Sequence, residues 1–392
     1  MKKSILIDSS NVHVLTSILY DIEFNYYSLK LEFEKVYFLY SQSTVLHQFL
    51  ISKICSKLEA LDLGIRFKVL DISSLYPVNQ HLFASLKMAR LERMRRSKNI
   101  QYITTLCKTL NLFDITYIGG SSLILPILHN SINKFRCIYY AHGLSDYLKD
   151  NKSLPIKRCK NFIIQLLEWT FFGYHTQLWI ASHEIKKPIF ETNFSSFYKS
   201  LLREFTHNEV PNLRAPQEGS NLLIQIPDYG GDIDQYLNYV RAVVIYHQKL
   251  SIKPKSILNI NVKIRPLDDF FIDDFKNKLC NFLNIKYSHI NINVLVEQKN
   301  LTSEFLINEL RISHLYSSLS LSLLTARLFW PDVAVTQIDI STKTLKNMPK
   351  LKWPLNIDTK WYSSLKYFMK NVWFFEWPII SVDLDLIEFY DH

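Results

Sequence analysis

A histidine and an aspartate stand four positions apart in the segment Tyr139-Tyr-Ala-His-Gly-Leu-Ser-Asp-Tyr147. An imidazole titrates near neutrality, so His142 can accept a proton from a hydroxyl, and the Asp146 carboxylate can orient its ring. Gly143 lets the backbone turn between them. The same residues would equally form a polar loop in which Asp146 caps a helix and His142 is simply hydrogen-bonded. A second set lies in Ile260-Asn-Val-Lys-Ile-Arg-Pro266. Alternation along a strand puts Lys263 and Arg265 on one face, where both can address one anion, and the planar guanidinium fork suits a phosphate. A solvated strand end stopped by Pro266 satisfies that pattern too.

Two further segments have an anion-binding pattern. In Ser313-His-Leu-Tyr-Ser-Ser-Leu-Ser320 the hydroxyls of Ser317 and Ser318 fall at a strand-to-helix junction. Free amides and the helix dipole favour a phosphate there, although plain N-capping would use the same serines. Between Met88 and Lys98, five cations fall in eleven residues, among them Arg93, Arg95 and Arg96. Such a segment can hold an acidic polymer or anionic lipid, or can be a solvated helix face. The aromatic stretch from Trp361 to Trp377 reads as core or interdomain packing rather than as a sugar platform.

Strands and crossover helices must position these residues. Short apolar runs alternate with longer helical ones, which is the signature of parallel α/β sheets. In the first half, Ser4–Ile7, Lys35–Leu39, Arg66–Leu70, Ile115–Ile118, Cys137–Tyr140 and Leu178–Ala181 read as strands, with helices such as His47–Leu61 and Ser97–Leu110 between them. The polar stretch from Phe205 to Ser220, with Pro211 and Pro216, marks a boundary. It divides the chain into a domain over 1–205, a linker over 206–220 and a domain over 221–392. In the second half, strands are expected at Asn221–Ile226, Asn259–Ile264, Ile292–Val296, His314–Tyr316 and Val333–Ile338. Helices are expected from Asp232 to Leu250, at Asp268–Leu283, at Ser303–Leu310 and after Ser318, with a helical aromatic tail. Two such halves facing a cleft make the GT-B arrangement, with ligands outside the carboxyl ends of the strands. The C-terminal helix is expected to pack back on the first domain.

Composition sets the outer bounds. The 392 residues exceed what one core usually organises, so two domains are the natural reading. Only 8 glycines are present, and neither G-x-G-x-x-G nor a Walker-type loop occurs. The 5 scattered cysteines form no C-x-x-C pair, which suggests neither a zinc site nor a disulfide framework and fits reduced, cytosolic thiols. The apolar run of the amino terminus is too short for a signal peptide, and polar residues interrupt the run from Asn161 to Ile180. A net charge of +10 attracts an anionic partner: nucleic acid, a membrane surface or an acidic polysaccharide.

In their order, these segments resemble the bacterial polysialyltransferases and lipooligosaccharide sialyltransferases, which build capsules and surface glycans. The resemblance runs through the strand and polar loop Ile5-Leu-Ile-Asp-Ser-Ser-Asn11, then Ala141-His142-Gly143, then Lys263-Ile264-Arg265-Pro266, then Ser317-Ser318, with Glu304 ahead of the serines. Only the serine motif is intact. Ala141 stands where the family has its acidic general base, and Arg265 stands where it has the histidine that assists departure of CMP. An arginine cannot donate a proton near neutral pH, so its help would be electrostatic.

The resemblance implies an inverting, metal-independent glycosyltransferase with no cofactor beyond a CMP-activated nonulosonic sugar, such as CMP-sialic acid or CMP-Kdo. His142 or Asp146 takes the role of general base, and Arg265 stabilises the leaving phosphate. Lys263, Pro266, Glu304, Ser317 and Ser318 bind the donor. Ser10, Asn11, Arg93, Arg95 and Arg96 face the acceptor, an anionic glycan or glycolipid at the cytoplasmic side of the inner membrane. Nucleic acid is not expected as a partner. A transferase of the same fold using a UDP- or GDP-sugar, and a non-catalytic polyanion-binding protein, are the alternatives.

Overall fold

The computed structural model describes residues 4–25, 33–40, 44–61, 65–72, 86–112, 114–120, 128, 132, 134–148, 185–209, 219–226, 233–250, 257–264, 272–286, 290–295, 301–341, 359–384 and 388–391. The chain forms two compact units, Met1–Tyr198 and Lys199–His392.

The first unit is built on strands β1 (Ser4–Asp8), β2 (Lys35–Tyr40), β3 (Arg66–Asp71), β4 (Asp114–Gly119), β5 (Lys134–Tyr140) and β6 (Ile185–Lys186). They form one sheet in the order β3-β2-β1-β4-β5-β6, and every pairing is parallel. This is the doubly wound Rossmann order, which reverses direction between β1 and β4. Helices α1 (Val12–Phe24), α2 (Val45–Glu59), α3 (Leu86–Thr109) and the single turn α4 (Leu144–Tyr147) lie between the strands. Strand β1 is buried along its whole length, as its run of apolar residues demands for a central parallel strand. Helix α1 starts where it does because the Asn11 side chain accepts from the amides of His13 (2.9 Å) and Val14 (3.2 Å).

Helix α5 (Phe194–Glu209) runs through the division between the units at Tyr198/Lys199. Residues 206–209, expected in the linker, are helical. The reason is packing. Phe205 is fully buried with its ring edge-on to Phe305 at 5.4 Å, and Thr206 donates to Glu309 at 3.0 Å.

The second unit repeats the first. Its strands are β7 (Ser220–Gln225), β8 (Leu258–Lys263), β9 (Ile290–Leu295), β10 (His314–Ser317), β11 (Ala334–Ile340), β12 (Ile379–Asp383) and β13 (Glu388–Asp391). The order is β13-β12-β11-β10-β7-β8-β9. Counted from β7, that is again 3-2-1-4-5-6, with the switch of direction between β7 and β10 and an antiparallel edge strand β13 added. Helices α6 (Ile233–Leu250), α7 (Ile272–Lys286), α8 (Ser303–Glu309), α9 (Leu321–Phe329) and α10 (Thr359–Phe368) follow the strands. One face of the sheet is apolar: Leu222, Ile224, Ile260, Val262 and Ile338 share a core with Val240 and Val244 of α6 and Leu279 of α7. The fold is thus α/β with two Rossmann-like domains. Strands β12 and β13 were not foreseen, because they follow the aromatic tail after a stretch with no strand-like periodicity. The strand expected at Leu178–Ala181 lies outside the described residues.

Candidate functional site

The carboxyl end of the first sheet gathers residues from three strands. After β5 the chain turns through Ala141, His142 and Gly143 into α4. His142 Nδ1 lies 2.7 Å from Asp146 Oδ2, and the aspartate side chain is 1% exposed while that of the histidine is 32% exposed. The same carboxylate oxygen accepts the His142 amide at 3.2 Å. A carboxylate at Nδ1 favours the tautomer that carries its proton on that nitrogen. Asp146 stands in the first turn of α4 but does not cap it: Gly143 is the N-cap, without a side-chain cap bond, and the carboxylate meets His142 instead.

Neighbouring strands shape the floor beneath His142. Asp8, buried at the end of β1, accepts the Tyr117 hydroxyl at 2.8 Å on one oxygen and the Ser10 amide at 2.9 Å on the other. This pins the loop carrying Ser10 and Asn11. The Asn11 amide reaches the His142 carbonyl at 3.5 Å. Gly119 and Gly120, at the end of β4, lie between these groups. A Cβ on Gly119 would meet Asp8 Cβ at 2.5 Å, and one on Gly120 would meet His142 Cβ at 3.1 Å. Glycine is thus required at 119 for Asp8 to close on the strand end, while at 120 it lets His142 approach without a shift of a few tenths of an ångström. Because β1 and β4 flank the reversal of strand order, this cluster occupies the first sheet's switch point.

A further histidine enters the same edge from α2. His47 is buried, and its Nδ1 meets the Thr44 hydroxyl at 2.8 Å within a capping box. Burial lowers its pKa, opposed by the Ser10 carbonyl and Asp8 nearby. Asp8, His47, Tyr117, Gly119 and Gly120 escaped the sequence reading. Only the glycine pair directly after an apolar strand offered a signal. Arg95 lies in α3 and is partly exposed, and nothing is described of the Arg93 and Arg96 side chains.

The second unit has its own polar row at its own switch point. Register aligns Lys263 with Gln225, Gln225 with Ser317 and Ser317 with Gln337, so all four project from one face, the first three at the carboxyl ends of β8, β7 and β10 and Gln337 in the middle of β11. Gln225 Oε1 accepts both the Ser317 hydroxyl and the Ser303 hydroxyl at 3.1 Å. Ser317 is fully buried and faces Gln225, whereas Ser318 is partly exposed. Helix α9 is capped by neither: Ser320 is the N-cap, accepting the Ser322 amide at 3.2 Å. Glu304 is buried in the first turn of α8, where it accepts the Thr325 hydroxyl from α9 and so ties the two helices together. Lys263 is buried as well. Arg265 and Pro266 lie outside the described residues.

Three of the cysteines are poor nucleophiles. Burial raises the thiols of Cys55 and Cys107 to about 11 and that of Cys137 to about 12, which keeps all three protonated. Among the described residues, no group of three or more histidines, cysteines or carboxylates is arranged to hold a metal ion, and no helix is long and apolar enough to cross a membrane.

The fold and these two sites define a two-domain α/β protein whose halves each present a polar cluster at the Rossmann switch point, the first with a histidine–aspartate pair. No family model and no curated protein sequence matches the chain. Among solved structures it is similar to a glycosyltransferase from Rickettsia africae ESF-5, at 11% identity over 94% of this chain and 89% of that one, with a TM-score of 0.37. It is also similar to a protein assigned as a UDP-N-acetylglucosamine 2-epimerase from Listeria monocytogenes, at 9% identity over 88% and 81%, with a TM-score of 0.38. At such scores the likeness decides nothing further, and the fold rests on the chain's own two sheets.

Proposed function

We propose that the protein is an inverting glycosyltransferase of GT-B type that moves a nonulosonic sugar from a CMP-activated donor to a hydroxyl of a bacterial surface glycan. The observation that carries this reading is the 2.7 Å contact between His142 Nδ1 and the buried Asp146 at the carboxyl end of the first sheet. In this reading His142 Nε2 removes the proton from the acceptor hydroxyl as the oxygen attacks the anomeric carbon. Asp146 holds the tautomer and stabilises the imidazolium that forms. The bond to the donor phosphate breaks on the opposite face, and CMP leaves with the bonding electrons.

The donor belongs to the second unit. Lys263 and Arg265 supply positive charge to the phosphate, and Ser318 with the amides leading into α9 supplies hydrogen bonds. Ser317 acts by anchoring that turn to Gln225, and Glu304 by fixing α8 to α9, with Pro266 beside the nucleoside. Ser10, Asn11 and the arginines of α3 address the anionic acceptor. The choice of a CMP-nonulosonate rests on the resemblance of the motifs in sequence. A UDP- or GDP-sugar would use the same fold.

Thermal melting with CMP, UMP, GMP and ADP at equal, high concentration tests the donor. A ligand at about a hundred times its dissociation constant adds roughly 2.7 kcal/mol of stability. Stabilisation by CMP alone is the expected result. A shift with UMP or GMP instead would keep the transferase and discard the donor. No shift with any nucleotide would overturn the reading in favour of a polyanion-binding protein.

A further inference from the structure

At the end of α10 the helix widens into a π-helical turn over Met369–Trp373 and stops at Phe374, in the left-handed conformation with φ 60°. Glycine or asparagine adopts that conformation at least cost, and a bulky side chain there is an outlier. Phe374 is also 85% exposed, more than any other large apolar side chain among the described residues. The position is therefore unfavourable twice over for an isolated protein in water, once in its backbone and once in its surface.

The support behind the tip is rigid. Leu365, Met369 and Trp373 form the buried stripe of the helix. Trp373, Phe375 and Trp377 stack on one another with centroids about 6 Å apart. Trp377 donates its indole N–H to Gln337 at 3.3 Å, which fixes the stack to β11. The Phe375 amide closes the turn on the Met369 carbonyl at 3.0 Å. Phe374 is thus held outward by a packed base. Also exposed in the same segment are Tyr367 (59%), Val372 (46%) and the cations Lys366 and Lys370, with Glu376 as the exposed carboxylate of this stretch.

We propose that Tyr367, Val372 and Phe374, flanked by Lys366 and Lys370, form a docking surface for a membrane rich in anionic phospholipid. Aromatic and aliphatic tips that enter the headgroup boundary, with lysines beside them for anionic lipid, are the chemistry of an interfacial anchor. A second copy of the chain fits the surface poorly. Three apolar side chains fall far short of the roughly 800 Å² per partner that a stable dimer buries. A two-fold contact would also set Lys366 and Lys370 near their own copies, on a chain already carrying +10. This assignment is independent of which nucleotide the protein binds.

Vesicle co-sedimentation of the full chain tests it, with phosphatidylglycerol–phosphatidylcholine vesicles against pure phosphatidylcholine. Phe374→Asn is the informative variant, because asparagine tolerates the left-handed turn and removes the ring without endangering the fold. The wild type is expected to bind the anionic vesicles, and Phe374→Asn to weaken that binding by about tenfold or more with an unchanged or raised melting temperature. Lys366→Gln with Lys370→Gln should weaken it further and leave little dependence on salt. Three results would overturn the proposal: no binding by the wild type, equal binding by Phe374→Asn, or a wild-type dimer in light scattering that Phe374→Asn dissolves. Equal binding would assign the attraction to net charge alone, and the dimer would assign the tip to a second copy.

Discussion

His142 and Asp146 are bonded across a single helical turn, with Nδ1 2.7 Å from a carboxylate that is 1% exposed. The geometry commits one imidazole nitrogen, Nδ1, to the carboxylate. Replacing Asp146 by Asn keeps the shape and reverses the hydrogen-bonding demand at Nδ1. Asp146→Asn is therefore expected to lower kcat by about a hundredfold to ten-thousandfold with little change in KM, once a donor is in hand. His142→Ala should lose activity to a similar extent, and urea denaturation should show both variants folded. Full activity in His142→Ala would remove its role as the base.

Gly119 and Gly120, at the end of β4, separate stability from function. Gly119→Ala drives a methyl to 2.5 Å from Asp8 Cβ and should cost about 1–3 kcal/mol in chemical denaturation. Gly120→Ala meets the His142 ring base at 3.1 Å. It should perturb activity more than stability, because a shift of His142 by tenths of an ångström relieves the contact.

In the second unit, Gln225 holds two serines. Truncation in Gln225→Ala leaves the hydroxyls of Ser303 and Ser317 without their acceptor, at a cost of about 1–3 kcal/mol. The turn into α9 would loosen with it. The nucleotide-induced melting shift should therefore fall along with the baseline melting temperature.

Acid should weaken the second unit through its buried histidines. His314 stacks on Tyr316 with centroids 4.1 Å apart, and desolvation with the neighbouring His247 depresses its pKa to about 3 from 6.5. Burial lowers His247 as well. Between pH 6.5 and 3 the unfolded chain then binds more protons than the folded one, so stability is complete above that window and is lost as pH falls through it. The loss should be on the order of a few kcal/mol. Denaturation midpoints across this range measure it. His314→Phe keeps an aromatic ring on Tyr316 and should flatten the acid limb, while a limb unchanged from wild type would assign the loss to other groups.

The architecture was legible in the sequence because parallel strands buried on both faces declare themselves as apolar runs such as Ser-Ile-Leu-Ile and Asn-Leu-Leu-Ile. The second half's helices were equally plain, and Ser303 begins α8 as its position before Glu304 and Phe305 suggests. Proline-rich composition marks where a helix cannot continue, but the contact between Phe205 and Phe305 decides which unit the preceding helix joins.

The sequence by itself determined the alternation of strand and helix, the two-domain division in outline, and a histidine and an aspartate spaced to share one turn. Those are local properties, set by periodicity, capping chemistry and spacing along the chain. Tertiary structure alone decided that Asp8, Tyr117 and Gly119 pack together at the strand ends with Gly120 against His142, and that Lys263, Gln225, Ser317 and Gln337 stand in one row. It also turned Ser317 inward to Gln225 and Phe374 outward to solvent. Strand order and register bring together residues far apart in the chain, and no local pattern records which strands will be neighbours.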